Sequence, residues 1–442
     1  MAIRPQVRLA LIAAAVAGLH APTFAMDLSQ AYRDALANDA VVASARAQVE
    51  AVREKVAQTR AGLLPGVNAV SSVNRQLSDS NVAPTREFTS QNYSLQLSYP
   101  LYRLQNVETW EQSKVQVSIA ETQLQAAQQD LMVRVAQAYF DVLTAQDSLA
   151  TIGAQKRAIS EQLASAKRNF EVGTATITDQ QEAQARYDLA LAQEVVAKND
   201  SDTKRAALAL LIGRPVPELN MLRADAVLDR PGSNQESEWT DAARKNNLTV
   251  QQATLAAEIA RREIDKQRYG HRPTLDLVGN VGHVRSSTAQ FIGVNVNVAS
   301  VGLQLSMPVF AGGAIDSRVR EAVALQTKSQ SDLENARRQA DQAARSLFLG
   351  VSNGLAQVGA LRAAEKSSQL ALDSNLLGYQ VGVRINIDVL NAQQQLFTTR
   401  RDLSKARYDV LLNGLRLKAS VGELGEEDLA KASALMQPAQ AR

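Results

Sequence analysis

The chain has 442 residues, no cysteine and a formal net charge of +3, with 48 Lys and Arg against 45 Asp and Glu. Without cysteine there is no disulfide framework, no thiolate metal site and no lipidated N-terminus. The near-balanced charge argues against a nucleic-acid binder. Aromatic residues make up only 4% while apolar residues reach 45%, which suits long, closely packed helices better than a globular core.

Residues 1–25 open with Arg4 and Arg8, run apolar from Leu9 to Leu19, and end in Thr23-Phe24-Ala25. This is the pattern of a secretory signal cut after Ala25. The apolar run is shorter than the ~20 residues a spanning helix needs, which disfavours the alternative of a membrane anchor. No later apolar run is long enough for a transmembrane helix.

The mature chain reads as one plan written twice, 26–213 and 239–422. Leu64-Pro65 returns as Arg272-Pro273, and Tyr99-Pro100-Leu101-Tyr102 as Met307-Pro308-Val309-Phe310, both 208 residues on. Phe170-Glu171-Val172-Gly173 returns as Tyr379-Gln380-Val381-Gly382, and Ile212-Gly213 as Val421-Gly422, both 209 on. Such self-similarity marks a duplicated structural unit. A connector, 214–238, holds Pro215, Pro217, Pro231 and Gly232 and reads as irregular. The tail, 423–442, reads as a flexible extension.

Each copy begins with a helical stretch, 28–62 and 239–270, rich in good helix formers. The period then changes to two. In Tyr93-Ser94-Leu95-Gln96-Leu97-Ser98-Tyr99 and Val301-Gly302-Leu303-Gln304-Leu305-Ser306-Met307 the odd positions are apolar and the even ones polar or Gly. That alternation predicts a strand with one oily and one wet face. Weaker partner strands fall at 65–76 and 273–285, with polar loops at 77–91 and 286–293. Each copy therefore offers one β-hairpin, with Tyr93, Tyr99, Tyr102 and Phe310 near strand ends. Strand length and pattern fit either a transmembrane barrel or a soluble sandwich with one wet face.

The helices decide between these. Proline-free tracts follow each hairpin, 104–172 and 313–381, with returning helices at 177–212 and 386–421. Leu124, Leu131, Ala138, Ala145 and Ile152 step by seven, as do Leu333, Ala340, Leu347, Gly354 and Leu361. A 3.5-residue period predicts left-handed coiled-coil packing. Four strands cannot close a barrel, and an open edge cannot sit in lipid. The protomer must therefore oligomerise; three copies give twelve strands, and closure alone also admits two or four.

The segments Val172-Gly173-Thr174-Ala175-Thr176-Ile177-Thr178-Asp179 and Tyr379 to Ala392 resemble the helix-turn motifs of the TolC family, and the likeness covers nearly all of the mature chain. The resemblance implies a mostly α protein with a membrane β part: a homotrimeric 12-strand β-barrel in the outer membrane on a periplasmic α-helical coiled-coil barrel. It implies an exit duct for proteins or small toxic compounds, gated at its periplasmic tip. Its partners would be the lipid bilayer, a periplasmic adaptor and an inner-membrane transporter, ABC or proton-driven. A periplasmic coiled-coil scaffold or adaptor is the alternative reading.

Carried over residue by residue, the resemblance implies a gate latch of Tyr379 and Arg384 against Thr178 and Asp179. Tyr379 would donate its hydroxyl proton to the Asp179 carboxylate, and Arg384 would bond Asp179 and the Thr178 oxygen. Asp388 would form a ring of three carboxylates in the pore. The family usually carries a second Asp one turn on; here that position is Asn391, giving an amide ring and weaker cation block. Gly173 and Gly382 would cap the long helices and leave a surface free of side chains where adaptor hairpins dock. His271 and His283 have no carboxylate cluster or Cys beside them in the sequence. No metal, cofactor or enzymatic activity is expected.

Overall fold

The computed structural model describes residues 25–81, 83–228, 232–286 and 294–438. Of the expected secretory signal, all but Ala25 lies outside the described residues. The first repeat holds α1 (Leu28–Asn38), α2 (Ala40–Ala61), β1 (Gly66–Ser80), β2 (Ala83–Tyr102), α3 (Leu104–Glu171) and α4 (Ile177–Ile212). A short strand, β3 (Met221–Leu222), lies in the connector. The second repeat holds α5 (Glu236–Asn246), α6 (Leu248–Arg268), β4 (Thr274–Ser286), β5 (Val294–Ser306), α7 (Ala314–Gln380) and α8 (Asn386–Ser420). Then come α9 (Glu426–Ala434) and β6 (Met436–Gln437). The helix–hairpin–long helix–helix plan is thus present twice.

The chain divides into two compact units. One, Ser44–Gln125 with Leu248–Arg338, contains both hairpins. They form one antiparallel sheet in the order β1-β2-β4-β5. Register places Ala69, Leu95, Val281 and Ala299 in one cross-strand row, and Val67, Leu97, Gly279 and Val301 in the next. These rows share a face because side chains alternate along a strand. Val67, Leu95, Val281 and Val301 on it are all exposed. The row between them, Asn68, Gln96, Asn280 and Ser300, belongs to the opposite, polar face. At the foot of the sheet Arg103 grips Asp276 through two hydrogen bonds, 2.8 Å to Oδ1 and 2.6 Å to Oδ2. Asp276 is 6% exposed.

The other unit comprises the described residues within Met1–Ala43, Ala126–Asn247 and Gln339–Arg442. Its core follows the expected heptads: Leu131, Val135, Val142, Ala145 and Ile152 are buried on α3, and Ala340, Ala344, Val351 and Val358 on α7. The helices approach closely. A Cβ added at Gly354 would lie 2.7 Å from Val410 Cγ2, so the Val410 side chain of α8 packs directly onto the α7 backbone where Gly354 has no side chain. A small aromatic cluster anchors the middle. Phe140 stacks on Tyr408 at 5.8 Å, and the Tyr139 hydroxyl donates to the carbonyls of Met26 and Asn220 at 2.8 and 3.0 Å. Burial first, then the neighbouring Asp147 carboxylate, push the Tyr408 hydroxyl well above the usual tyrosine range.

Four expectations need correction. The stretch 28–62 is two helices, because Asp39 leaves the helical region (φ −70°, ψ 116°) and caps α2, accepting from the Val42 amide at 2.8 Å. The stretch 239–270 likewise breaks at Asn247, whose amide donates to the Ser420 carbonyl at 2.8 Å. Most of the loop expected at 77–91 is strand: β1 runs to Ser80 and β2 starts at Ala83, with Leu77 opposite Glu87. A ladder made by backbone bonds needs no apolar pattern when both its faces are exposed, so polarity was a false loop signal there. The matching loop, 286–293, lies outside the described residues beyond Ser286. The tail, 423–442, is held in place where it is described. Leu429 of α9 is fully buried, and β6 pairs with β3 through Met436 and Leu222.

Candidate functional site: the helix tips

The two turns that join long and returning helices are built alike. Gly173 and Gly382 have φ of 77° and 80°, the left-handed region that disfavours side chains. The Thr174 amide donates to the Asn169 carbonyl at 2.7 Å, and the Val383 amide to the Gly378 carbonyl at 2.8 Å. Both are left-handed caps that satisfy the last carbonyls of a helix. No atom lies within 4 Å of a Cβ built at either glycine. Around them Val172, Val381, Val383 and Ile385 are exposed, so each turn presents an apolar tip.

The starts of the returning helices differ. Thr176 caps α4 in a reciprocal box: the Asp179 amide donates to Thr176 Oγ1 at 3.2 Å, and the Thr176 amide to Asp179 Oδ2 at 3.0 Å. At the equivalent place on α8 stands Ile385, which has no side-chain cap. Asp388 is therefore free of a capping role, and its carboxylate faces Arg384 at 3.7 Å.

Within one protomer Arg384 faces Asp388 rather than the expected Thr178 and Asp179, and Tyr379 and Asp179 also have other partners. The Tyr379 hydroxyl accepts from Asn169 Nδ2 at 3.2 Å rather than donating to Asp179. The Asp179 carboxylate also accepts from the Thr176 hydroxyl at 2.7 Å, since an N-terminal carboxylate is best placed to close its own helix. Thr178 stands exposed beside it. Asn391 accepts from Arg186 of α4 at 3.0 Å, so its amide oxygen is engaged by a cation.

Sequence reasoning missed a ladder of amides. Gln155, Gln162 and Asn169 step by seven along α3, and each bonds the second repeat: Gln155 to Gln394 at 2.7 Å, Gln162 to Asn386 at 2.6 Å, Asn169 to Tyr379 at 3.2 Å. Asn386 is fully buried and also donates to the Asp179 carbonyl at 3.0 Å. It thereby ties α3, α4 and α8 at one point. The heptad spacing of the three amides was the available signal, but on an aliphatic seam Gln reads as a surface residue. Apolar contacts surround the ladder: Ile159, Leu163, Ala166, Ala183, Ala190 and Leu390 form one cluster, and Leu372, Val389 and Leu396 another. Among the described residues no group of three or more His, Asp or Glu is placed to hold a metal ion.

The chain resembles characterised proteins along almost its whole length. Outer membrane protein TolC of Vibrio cholerae is 33% identical over 424 residues, covering 95% of each protein. The proteases secretion protein PrtF of Dickeya chrysanthemi is 31% identical over 94% of this chain and 92% of its own length. Among solved structures, the Campylobacter jejuni CmeC outer membrane channel shares the fold with a TM-score of 0.79 at 16% identity, covering 93% of this chain and 90% of that one. The sequence profile of the family described as Outer membrane efflux protein matches residues 31–214 and 239–423, nearly all of both repeats. This chain belongs to the outer membrane efflux protein family.

Proposed function

We propose that this protein is an outer-membrane exit duct, extending into the periplasm, that passes proteins and small toxic compounds out of the cell. The observation that carries this reading is the pairing of two things in one duplicated chain. A four-stranded sheet exposes an apolar face, and each of its hairpins continues into a helix of 67 or 68 residues. The apolar rows suit lipid, and the amphipathic helices suit a water-filled conduit. Protein cargo is favoured by the likeness to a protein named for protease secretion. A scaffold or adaptor role leaves the apolar sheet face without an occupant.

Three copies would close the sheet into twelve strands, with neither open edge left in lipid. An inner-membrane transporter and a periplasmic adaptor would supply energy and coupling, the adaptor meeting the apolar tips around Gly173 and Gly382. The gate would lie at those tips. Asp388 would face the pore, with Arg384 close enough to offset its charge, and Asn391 would face it as an amide held by Arg186. Arg384, 61% exposed on its side chain, is free to reach Thr178 and Asp179 of a neighbouring copy. Planar-bilayer recording tests both levels. Purified protein should give single-channel conductance, and Tyr379→Phe with Arg384→Ser should raise it. A protein that never conducts overturns the duct; an unchanged double variant overturns the latch.

A further inference from the structure

The two hairpins share one register. Gly66 pairs with Ser98 and Thr274 with Ser306; Val73 pairs with Gln91 and Val281 with Ala299. Adding 208 to either member of a β1–β2 pair gives the corresponding β4–β5 pair. β1 is thus the counterpart of β4, and β5 the counterpart of β2. Inside the chain β2 pairs with β4. The counterpart of that seam is β5 against β1, which are the two outer strands of the sheet. Every residue of β5 is exposed, and so are nearly all of those described on β1.

We infer that β5 of one copy pairs antiparallel with β1 of a second copy in the register of the β2–β4 seam, and that this seam lacks the ion pair that locks its counterpart. This rests on the oligomeric reading above and adds the residue pairs. Leu95 opposite Val281 becomes Leu303 opposite Val73 of the second copy; Gln91 opposite Arg285 becomes Ala299 opposite Leu77. Gln96 opposite Asn280 becomes Gln304 opposite Ser72. Like meets like in these three pairs, whereas the same register sets Val301 opposite Arg75, Leu305 opposite Ser71 and Ser306 opposite Val70, so the register rests on the shared offset of the two hairpins. A slip of one residue would place Leu303 against Ser72 or Asn74 and reverse the faces.

The lock is absent for a reason written in the same arithmetic. Arg103 and Asp276 close the foot of the β2–β4 seam with a two-pronged hydrogen-bonded pair. Their counterparts 208 residues away are Ala311 and Asn68. Neither carries charge, and both are exposed. The barrel would therefore alternate locked seams within copies and unlocked seams between them.

The chain has no cysteine, so paired substitutions report without background. Facing residues of an antiparallel pair have Cα atoms about 4.5–5.5 Å apart, within disulfide range. In the full-length protein in outer-membrane vesicles, Val73→Cys with Leu303→Cys should link copies under mild oxidation into bands of two and three chains. Val73→Cys with Leu305→Cys, two positions off, should not. The offset pair linking in preference overturns the register. A wild-type protein that is monomeric in native mass spectrometry overturns the oligomer itself, and so separates that failure from the first. Asn68→Asp with Ala311→Arg should raise the temperature at which the oligomer dissociates in detergent, with neither single change doing so. An unchanged temperature in an oligomer that does crosslink overturns the missing-lock inference.

Discussion

Asp39 performs two tasks with one carboxylate. It caps α2, and it accepts from Arg134 at 3.0 Å on the other oxygen. Burial by itself would raise its pKa, but the Val42 amide and Arg134 outweigh that and hold it below the usual carboxylate range. A lowered folded-state pKa contributes stability that is complete above the unfolded value, about 3.9, and is lost as pH falls through the folded value. Asp39→Asn should cost about 1–2 kcal/mol at neutral pH. The gap between variant and wild type should narrow below about pH 4. Thermal unfolding followed by circular dichroism from pH 3 to 7 measures both; a gap that stays constant would mean the charge is irrelevant. Asn386 is the second residue of this kind. Asn386→Leu leaves the Gln162 amide buried without its partner, at a cost of about 1–3 kcal/mol. Adding Gln162→Leu should recover part of that loss, because two apolar groups replace a broken pair. Hydrogen exchange at the tips of α3 and α8 reads the coupling, and strictly additive effects would argue that the two amides act separately.

At the level of elements, the sequence carried most of the plan because each element has its own period. The heptads of α3 and α7 and the alternation in β2 and β5 are strong, local and repeated, so they predict element type and the ends of the long helices. The failures also have local causes. Asp39 and Asn247 each break a helix with one side chain, and a single polar residue inside a helix-rich stretch has no signature of its own. The tip of the first hairpin is mostly polar, a composition that reads as a loop. The tail reads as loose because its larger apolar residues, Leu424, Leu429, Leu435 and Met436, follow no single period. The candidate site was half legible: the two glycine turns follow from local sequence, whereas Arg384 faces Asp388, four residues on, rather than the expected Asp179. The partners of Tyr379 and Asn386 come from the other repeat, more than 200 residues away, and no local pattern announces them.

Taken as a whole, the molecule uses duplication to make one chain behave as two nearly equivalent subunits. The equivalence is broken in a few places. Thr176 with Asp179 closes one returning helix, while Ile385 leaves Asp388 without a cap. Arg103 with Asp276 locks one seam of the sheet, while Ala311 with Asn68 leaves its counterpart open. A perfectly repeated chain would have identical tips and identical seams, and it would have no reason to move one half before the other.

The amide ladder also sets a unit of measure. Its rungs on α3 recur every seven residues, so helices of this kind can change length only in whole heptads if the rungs are to stay matched. Seven residues add about 10 Å to a helix. Inserting one heptad after Gly153 in α3 alone should shift the rungs by one step and uncouple the tips, which would show as fast hydrogen exchange there. Matched insertions in α3, α4, α7 and α8 should restore protection. A periplasm of different depth could then be met by adding or removing whole heptads, with the pattern of contacts at the tip left as it is.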